Sequence, residues 1–371
     1  MSQVRIVEAG DIAAIAAMFQ QVLRNQAGPP PASLVDYLRH LFLDAPFCGG
    51  GAHSLVYLND EGKISGFIGV HMLPMTFHGR KLQAAVCGTL MSKDRDRDPL
   101  AGARLLKAFF DGPQDLSFSE SANDISTRLW TRLRGATLAS YSLDWIRVIR
   151  PAGFTLEAAG KKIKLARLFS PLAGGFDALW RKRLDPGQLS WPALAPGGTG
   201  QKAGTVRDIS ETEFIKLLDP LTSHIPLRPD WAQCHLDWIL MDAHEKPNLG
   251  ELIFCAVLSP NGRPIGAFAY YAKPGAIGSV LQIIALPGQA GVVIDGLIDD
   301  AAKRGLVGLR GRVQPNLLDA MLGRRIAFVH ATSTVVHSRD AELLKAMTDQ
   351  QAFLNGIAGE QWCRLIEGRF N

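Results

Sequence analysis

The chain has 371 residues, of which 47% are hydrophobic and 20% charged, and a formal net charge of +5. That is length enough for two domains with a core each. The charge is mild and scattered, which excludes the concentrated basic stripe of a nucleic-acid binder and suits a small anionic ligand.

In chain order, apolar spacing predicts a strand over 4–8, helices over 11–24 and 33–43, and strands over 53–59, 64–77 and 81–91. The turns Asn59-Asp60-Glu61-Gly62 and His78-Gly79-Arg80 make these last three an antiparallel meander. A helix over 99–111, a strand over 116–119, a helix over 123–134 and a strand over 139–148 follow. The crossover makes 81–91 and 116–119 parallel neighbours. Residues 165–184 read as an amphipathic helical bridge broken at Pro171 and Gly174-Gly175, and the Pro/Gly-rich stretch from Asp185 reads as a linker.

The pattern then repeats. A strand over 204–208, helices over 211–219 and 231–241, and strands over 251–258, 263–272 and 277–285 match the first half in order. "YLRHLFLDA" (37–45) aligns with "HLDWILMDA" (235–243), and "SLVYLNDEGKISGFIGV" (54–70) with "IFCAVLSPNGRPIGAFAYY" (253–271). A helix over 290–304, a strand over 305–312, a helix over 315–323 and strands over 326–336 complete the second copy. The expected fold class is α+β: two similar domains, 1–160 and 204–371, each a mixed, mostly antiparallel sheet flanked by helices, joined by 161–203.

One stretch carries chemistry. In "MSKDRDRDPLAGARLLKAFF", from Met91, charged residues lead into a helix at Asp98-Pro99. Asp98 suits an N-cap and Pro99 the first helical position. The amides of Leu100, Ala101, Gly102 and Ala103 open the helix beside Arg95 and Arg97, a recipe for holding a diphosphate. An ordinary capped helix whose small residues pack on the sheet has the same local sequence.

This order of elements, with a phosphate-suited turn between the fourth strand and the third helix, resembles the GNAT superfamily of N-acetyltransferases. The family motif (Gln or Arg, two residues, Gly, one residue, Gly or Ala) falls on Arg97 to Gly102, with Leu100 where a glycine is usual. The resemblance implies acetyl-CoA as co-substrate, held by Arg95, Arg97 and Leu100 to Ala103. It also implies a bulged fourth strand at Cys87-Gly88, with amides of Gly88, Thr89 and Leu90, next to Met91, binding the acyl carbonyl. In "NDISTRLWTRLRG", Asn123 matches the family's cofactor-side asparagine, whereas Trp130 stands where a tyrosine acid is usual. Trp has no titratable proton near neutral pH, so another group must protonate the leaving thiolate. Glu120 is the expected base, with Tyr141, His71 and His78 as alternatives.

The second copy's equivalent turn, 285–305, lacks an arginine and carries Asp295, Asp299 and Asp300, so it is expected to be a structural or acceptor-binding half. Cys234, His235, Asp237, Asp242 and His244 lack the spacing of metal ligands on one helix face and read as core or surface residues. The five cysteines form no CxxC pair, and no run of about 18 apolar residues appears. The expectation is a cytoplasmic N-acetyltransferase acting on a small-molecule amine or peptide, with no metal, nucleic acid or membrane, and a homodimer left open. Two alternatives stand beside it: a non-catalytic acyl-CoA-binding or assembly protein, and a Fem-type aminoacyl or long-acyl transferase.

Overall fold

A computed structural model of the chain describes residues 3–48, 51–93, 98–160 and 204–370. The expected bridge and linker, and Arg95 and Arg97, lie outside the described residues. The first half runs β1 (Gln3–Ile6), α1 (Ile12–Val22), α2 (Ala32–Arg39), β2 (Leu55–Leu58), β3 (Ile64–Phe77), β4 (Arg80–Ser92), α3 (Ala101–Phe110), β5 (Leu116–Ala122), α4 (Asp124–Arg132), β6 (Ala136–Leu138), β7 (Leu143–Val148) and α5 (Pro151–Gly160). The second half opens with β8 (Thr205–Asp208), α6 (Glu211–Thr222), β9 (Leu227–Pro229), α7 (Gln233–His244), β10 (Glu251–Leu258), β11 (Pro264–Ala272) and β12 (Ile277–Ala285). It closes with α8 (Ala290–Lys303), β13 (Gly308–Arg312), α9 (Leu318–Met321), β14 (Ile326–His330), β15 (Ser333–Ser338) and α10 (Ala341–Thr348).

Local chemistry sets several of these boundaries. The Asn59 side chain accepts from the amides of Glu61 and Lys63, and Gly62 takes φ +74°, closing the β2–β3 hairpin. Ser210 and Glu213 form a reciprocal capping box that starts α6. Asn123 starts α4 by accepting from the amides of Ile125 and Ser126.

Two mixed sheets result. The first has order β1-β2-β3-β4-β5-β15-β6, with β9 paired to β3; the second has order β14-β7-β13-β12-β11-β10-β8. The meander and the parallel β4–β5 pair are as the sequence predicts. The last strands are not. The predicted strand 139–148 is broken by a turn at Ala139–Ser142, and its second piece, β7, pairs with β13 and β14 of the second sheet. Conversely β15, from the second half, pairs with β5 and β6 of the first. The sheets therefore do not divide at the expected boundary: the first half gives β7 to the second sheet, and the second half gives β9 and β15 to the first. Pairing partners are chosen by tertiary burial, which local sequence does not encode.

Sheets and helices stack in layers. Leu105, Leu106 and Phe109 of α3 and Trp130 of α4 cover one face of the first sheet against Ile68, Val70 and Ala85. Its other face, with Phe67, Val86 and Phe118, meets α1, α2, α6 and α7 in a central core shared with Ala267, Tyr271 and Leu281 of the second sheet. The far face of the second sheet packs on Val293, Ile294 and Leu297 of α8. No helix among the described residues is long and apolar enough to cross a membrane.

The segment after α10 has no regular structure, yet Leu354, Asn355, Ile357, Ala358, Glu360 and Trp362 are buried in the central core. Several of its polar groups bond distant partners, as a buried loop requires. Asn355 Nδ2 donates to the Val313 carbonyl, the Ile357 amide to Gln282 Oε1 at 3.0 Å, and Lys246 Nζ to the Gln361 carbonyl at 2.6 Å. The Arg364 amide donates to Asp242 Oδ2 at 3.1 Å, which also accepts from Tyr37 Oη at 2.6 Å. Burial pushes Asp242 up to about 6. Gly356, at φ +72°, lies so close to the Leu281 carbonyl and the Gln282 side chain that a Cβ would overlap both. Gly356→Ala should therefore cost about 3 kcal/mol through strain and overpacking. Urea unfolding followed by tryptophan fluorescence checks this; an unchanged midpoint would contradict it.

Candidate functional site

The strongest irregularity of the first sheet lies in β4. Gly69 pairs with Thr89 but Val70 with Cys87, so Gly88 is an extra, bulged residue. On its other side β4 pairs with β5 only from Ala84 to Val86, opposite Leu116 to Phe118. Beyond that the parallel strands part, because β5 continues along β15 while β4 stays with β3.

One side chain enters the gap from the central core. Glu360, 1% exposed, accepts from the amides of Glu120 (2.7 Å) and Ser121 (3.1 Å) and from the hydroxyls of Ser119 (3.0 Å) and Ser121 (2.8 Å). It thus takes the hydrogen bonds that a continued β4 would have offered β5. The second sheet repeats this arrangement. A register shift between Ala269 and Tyr270 bulges β12 at Leu281, β12 pairs with β13 only through Val280, and Asn355 to Ile357 occupy the gap. One segment, residues 354–362, thus enters both openings.

What remains open in the first sheet is a cleft of about 240 Å³. Cys87, Gly88, Thr89 and Leu90 form one wall and Ser119, Ser121, Ala122 and Asn123 the other, with Trp130 and Ser126 on the α4 side. Phe19, Leu23, Arg24, Leu365 and Ile366 line the α1 side. Arg24 is fixed there by donating to the Gly368 carbonyl at 3.0 Å and by packing on Phe19 and Phe370. Leu90 and Ser126 are shared with a second hollow of about 130 Å³ that reaches Met91, Ser92, Pro99 and Gly102 at the start of α3. The groove thus runs from a helix N-terminus to a strand bulge.

The structure brings Gly88, Thr89, Leu90, Met91, Gly102 and Asn123 to this groove. Leu100, which stands where the family motif has a glycine, is 55% exposed and does not line this hollow. The amides of Leu100 and Ala101 are taken by Asp98, through its Oδ1 and its carbonyl. Those of Gly102 and Ala103 make no hydrogen bond among the described residues. The Asp98 carboxylate is itself bonded by Tyr57 Oη and lies 3.7 Å from Arg104. The seat is narrower than the sequence implied: two free amides with the Asp98 carboxylate beside them.

Glu120 and Tyr141 do not line the cleft. Tyr141 is buried, donates to the Ala352 carbonyl at 2.8 Å and accepts from its amide, so it anchors the C-terminal segment. Glu120 is fully buried beneath the floor, and neither carboxylate oxygen makes a hydrogen bond of good geometry. Burial pushes its pKa up to about 8, against the pull of Arg312 and with a further push from Glu360. His71 is buried against Phe47 and Trp362, and burial lowers it to about 3.

Sequence reasoning missed Ser119, Ser121, Arg24 and Glu360. "SFSES" does show serines alternating toward one face of a strand, the pattern of a polar wall. Glu360 sits in a stretch without helix or strand period, and nothing local marks it as buried. Of the cluster in 234–245, Asp242 is a core residue, whereas His244 pairs with Glu211 and Asp237 accepts from Gln233.

No sequence family and no curated protein matches the chain. Solved structures do. A conserved protein from Enterococcus faecalis V583, described as a probable N-acyltransferase, superposes with a TM-score of 0.56 at 12% identity, over 91% of this chain and 73% of that one. GCN5-related N-acetyltransferases from Anabaena variabilis and Kribbella flavida give TM-scores of 0.56 and 0.53 at 10% and 11% identity. Each covers 92% of this chain, with 73% and 72% of its own length matched. The fold is that of the GCN5-related N-acetyltransferases.

Proposed function

We propose that the chain transfers an acyl group, in the first instance acetyl, from CoA to an amine on a small molecule or peptide. The observation that carries this reading is the groove: free helix-start amides at Gly102 and Ala103 at one end, and a strand bulge at Gly88 beside a parted strand pair at the other. The amides suit the diphosphate, the slot between β4 and β5 suits the pantetheine arm, and the amides at the bulge suit the thioester carbonyl. The amine would enter from the α1 side, past Phe19 and Arg24. Positioning and exclusion of water then supply much of the rate. The second sheet is the structural half in this reading, its gap being filled by the chain itself. The Asp98 carboxylate at the helix start favours a second reading, a weak acyl-CoA binder without turnover.

Calorimetry with CoA and acetyl-CoA tests the placement. Ser126→Trp fills the waist where the two hollows meet and should weaken binding by roughly 30-fold or more, with the melting temperature unchanged. Wild-type affinity in that variant would remove the placement. Thiol release from acetyl-CoA with benzylamine, spermidine or an unblocked dipeptide separates enzyme from binder.

A further inference from the structure

Acyl transfer to an amine needs a group to take the proton from nitrogen and one to return it to the thiolate. The sequence leaves both roles open. Trp130 replaces the expected acid and is packed among Phe109 and Phe110, while Glu120 and Tyr141 are turned from the cleft.

A pair that the sequence did not single out is in place. Ser121 lines the cleft across from Gly88, and its hydroxyl donates to Glu360 Oε1 at 2.8 Å. The same oxygen lies 3.7 Å from where a Cβ on Gly88 would stand, so the carboxylate sits beside the bulge. Its second oxygen is held by Ser119 Oγ and two amides, which fixes its orientation. We infer that Ser121 and Glu360 form the proton relay of the transfer, Ser121 touching the reacting atoms and Glu360 acting through it as a positioning residue. The inference rests on the acyl-CoA reading above.

The steps balance. The amine lone pair forms the C–N bond at the thioester carbonyl and the C–S bond breaks, its electron pair leaving on sulfur. The nitrogen gives its proton to Ser121 Oγ as the serine proton passes to Glu360. Glu360 then returns a proton through Ser121 to the thiolate, giving amide and free thiol with the relay restored. Burial raises Glu360 above the ordinary carboxylate value, against the hydrogen bonds it accepts from Ser121, Glu120 and Ser119. Around the Glu360–Glu120 pair stand Cys87 on β4, Arg312 on β13 and Lys246 after α7. Arg312 and Lys246 act on Glu120, and the neutral Cys87 thiol faces Glu360.

The test uses the full chain, acetyl-CoA and whichever of the three amines releases thiol fastest. Ser121→Ala and Glu360→Gln should each lower kcat by about 100-fold, with CoA affinity by calorimetry within about 3-fold of wild type. Ser121→Thr keeps the hydroxyl and should stay within about 5-fold. The kcat/KM pH profile should lose one ionisation in Glu360→Gln. If that variant does not fold, Ser121→Ala against Ser121→Thr decides. Ser121→Ala turning over at close to the wild-type rate with an unaltered pH profile overturns the relay. Wild-type protein that binds no acetyl-CoA overturns the acyl-CoA reading instead; binding without thiol release to any amine removes the transfer and the relay with it.

Discussion

Arg312→Met should lower the unfolding free energy by about 3–5 kcal/mol, the cost of removing one partner from a buried charged network. The Arg312 side chain is 4% exposed. From the end of β13 it donates to Asp144 Oδ1 (3.1 Å) on β7, to the Thr332 carbonyl (3.0 Å) and to Thr334 Oγ1 (3.1 Å) on β15. It also donates to the Glu120 carbonyl (2.7 Å) on β5. It therefore ties the second sheet to the first at the point where the two halves exchange strands. Methionine keeps most of the volume and supplies none of the donors, so the Thr332 carbonyl loses this donor and the buried Glu120 carbonyl keeps only Thr332 Oγ1 at 3.3 Å. Arg312→Lys should rescue little, since a single ammonium cannot reach that fan of acceptors. Urea unfolding followed by tryptophan fluorescence reads the change. A midpoint within error of wild type would show that the guanidinium does not join the sheets.

The second large effect concerns pH. Glu120 is raised from an ordinary carboxylate value to about 8, first by burial and also by Glu360. Between about pH 4.5 and 8 the folded chain then holds a proton that the unfolded chain has released. Stability rises with pH only where the unfolded state binds more protons, so here this group makes it fall. Its contribution is full below the unfolded pKa and lost as pH climbs through about 8. Asp242, raised to about 6, acts in the same direction over a lower window. Glu120→Gln keeps the shape and cannot ionise. It should flatten the decline between about pH 5 and 8 and be more stable than wild type at pH 8.5, by an amount on the order of 3 kcal/mol. Unfolding curves at intervals across that range give the slope directly. A variant as pH-sensitive as wild type would mean that Glu120 is already ionised when folded.

Most elements were legible because their signals are local. The β2–β3 turn is written in Asn59 and Gly62, and the β4 bulge in a glycine placed mid-strand. The repeat predicted two sheets of similar build, and the crossover predicted the parallel β4–β5 pair. Gly88 to Met91, Gly102 and Asn123, which the sequence singled out, line one groove. Glu120 was judged by its place at a strand end, which says nothing of what packs over it. Residues 354–362 cover it, and they come from more than 200 positions away in the chain.

The amino-acid sequence alone determined the α+β class, the doubled pattern of elements and the start of α3, because periodicity, caps and turns act over a few residues. Only the tertiary structure decided that β7 and β15 change sheets, that a strand-free tail enters both gaps, and that Glu360 reaches Ser121. Those outcomes depend on which apolar faces and unpaired amides meet once the sheets have formed. That is a property of the whole packed molecule, and no window of the chain contains it.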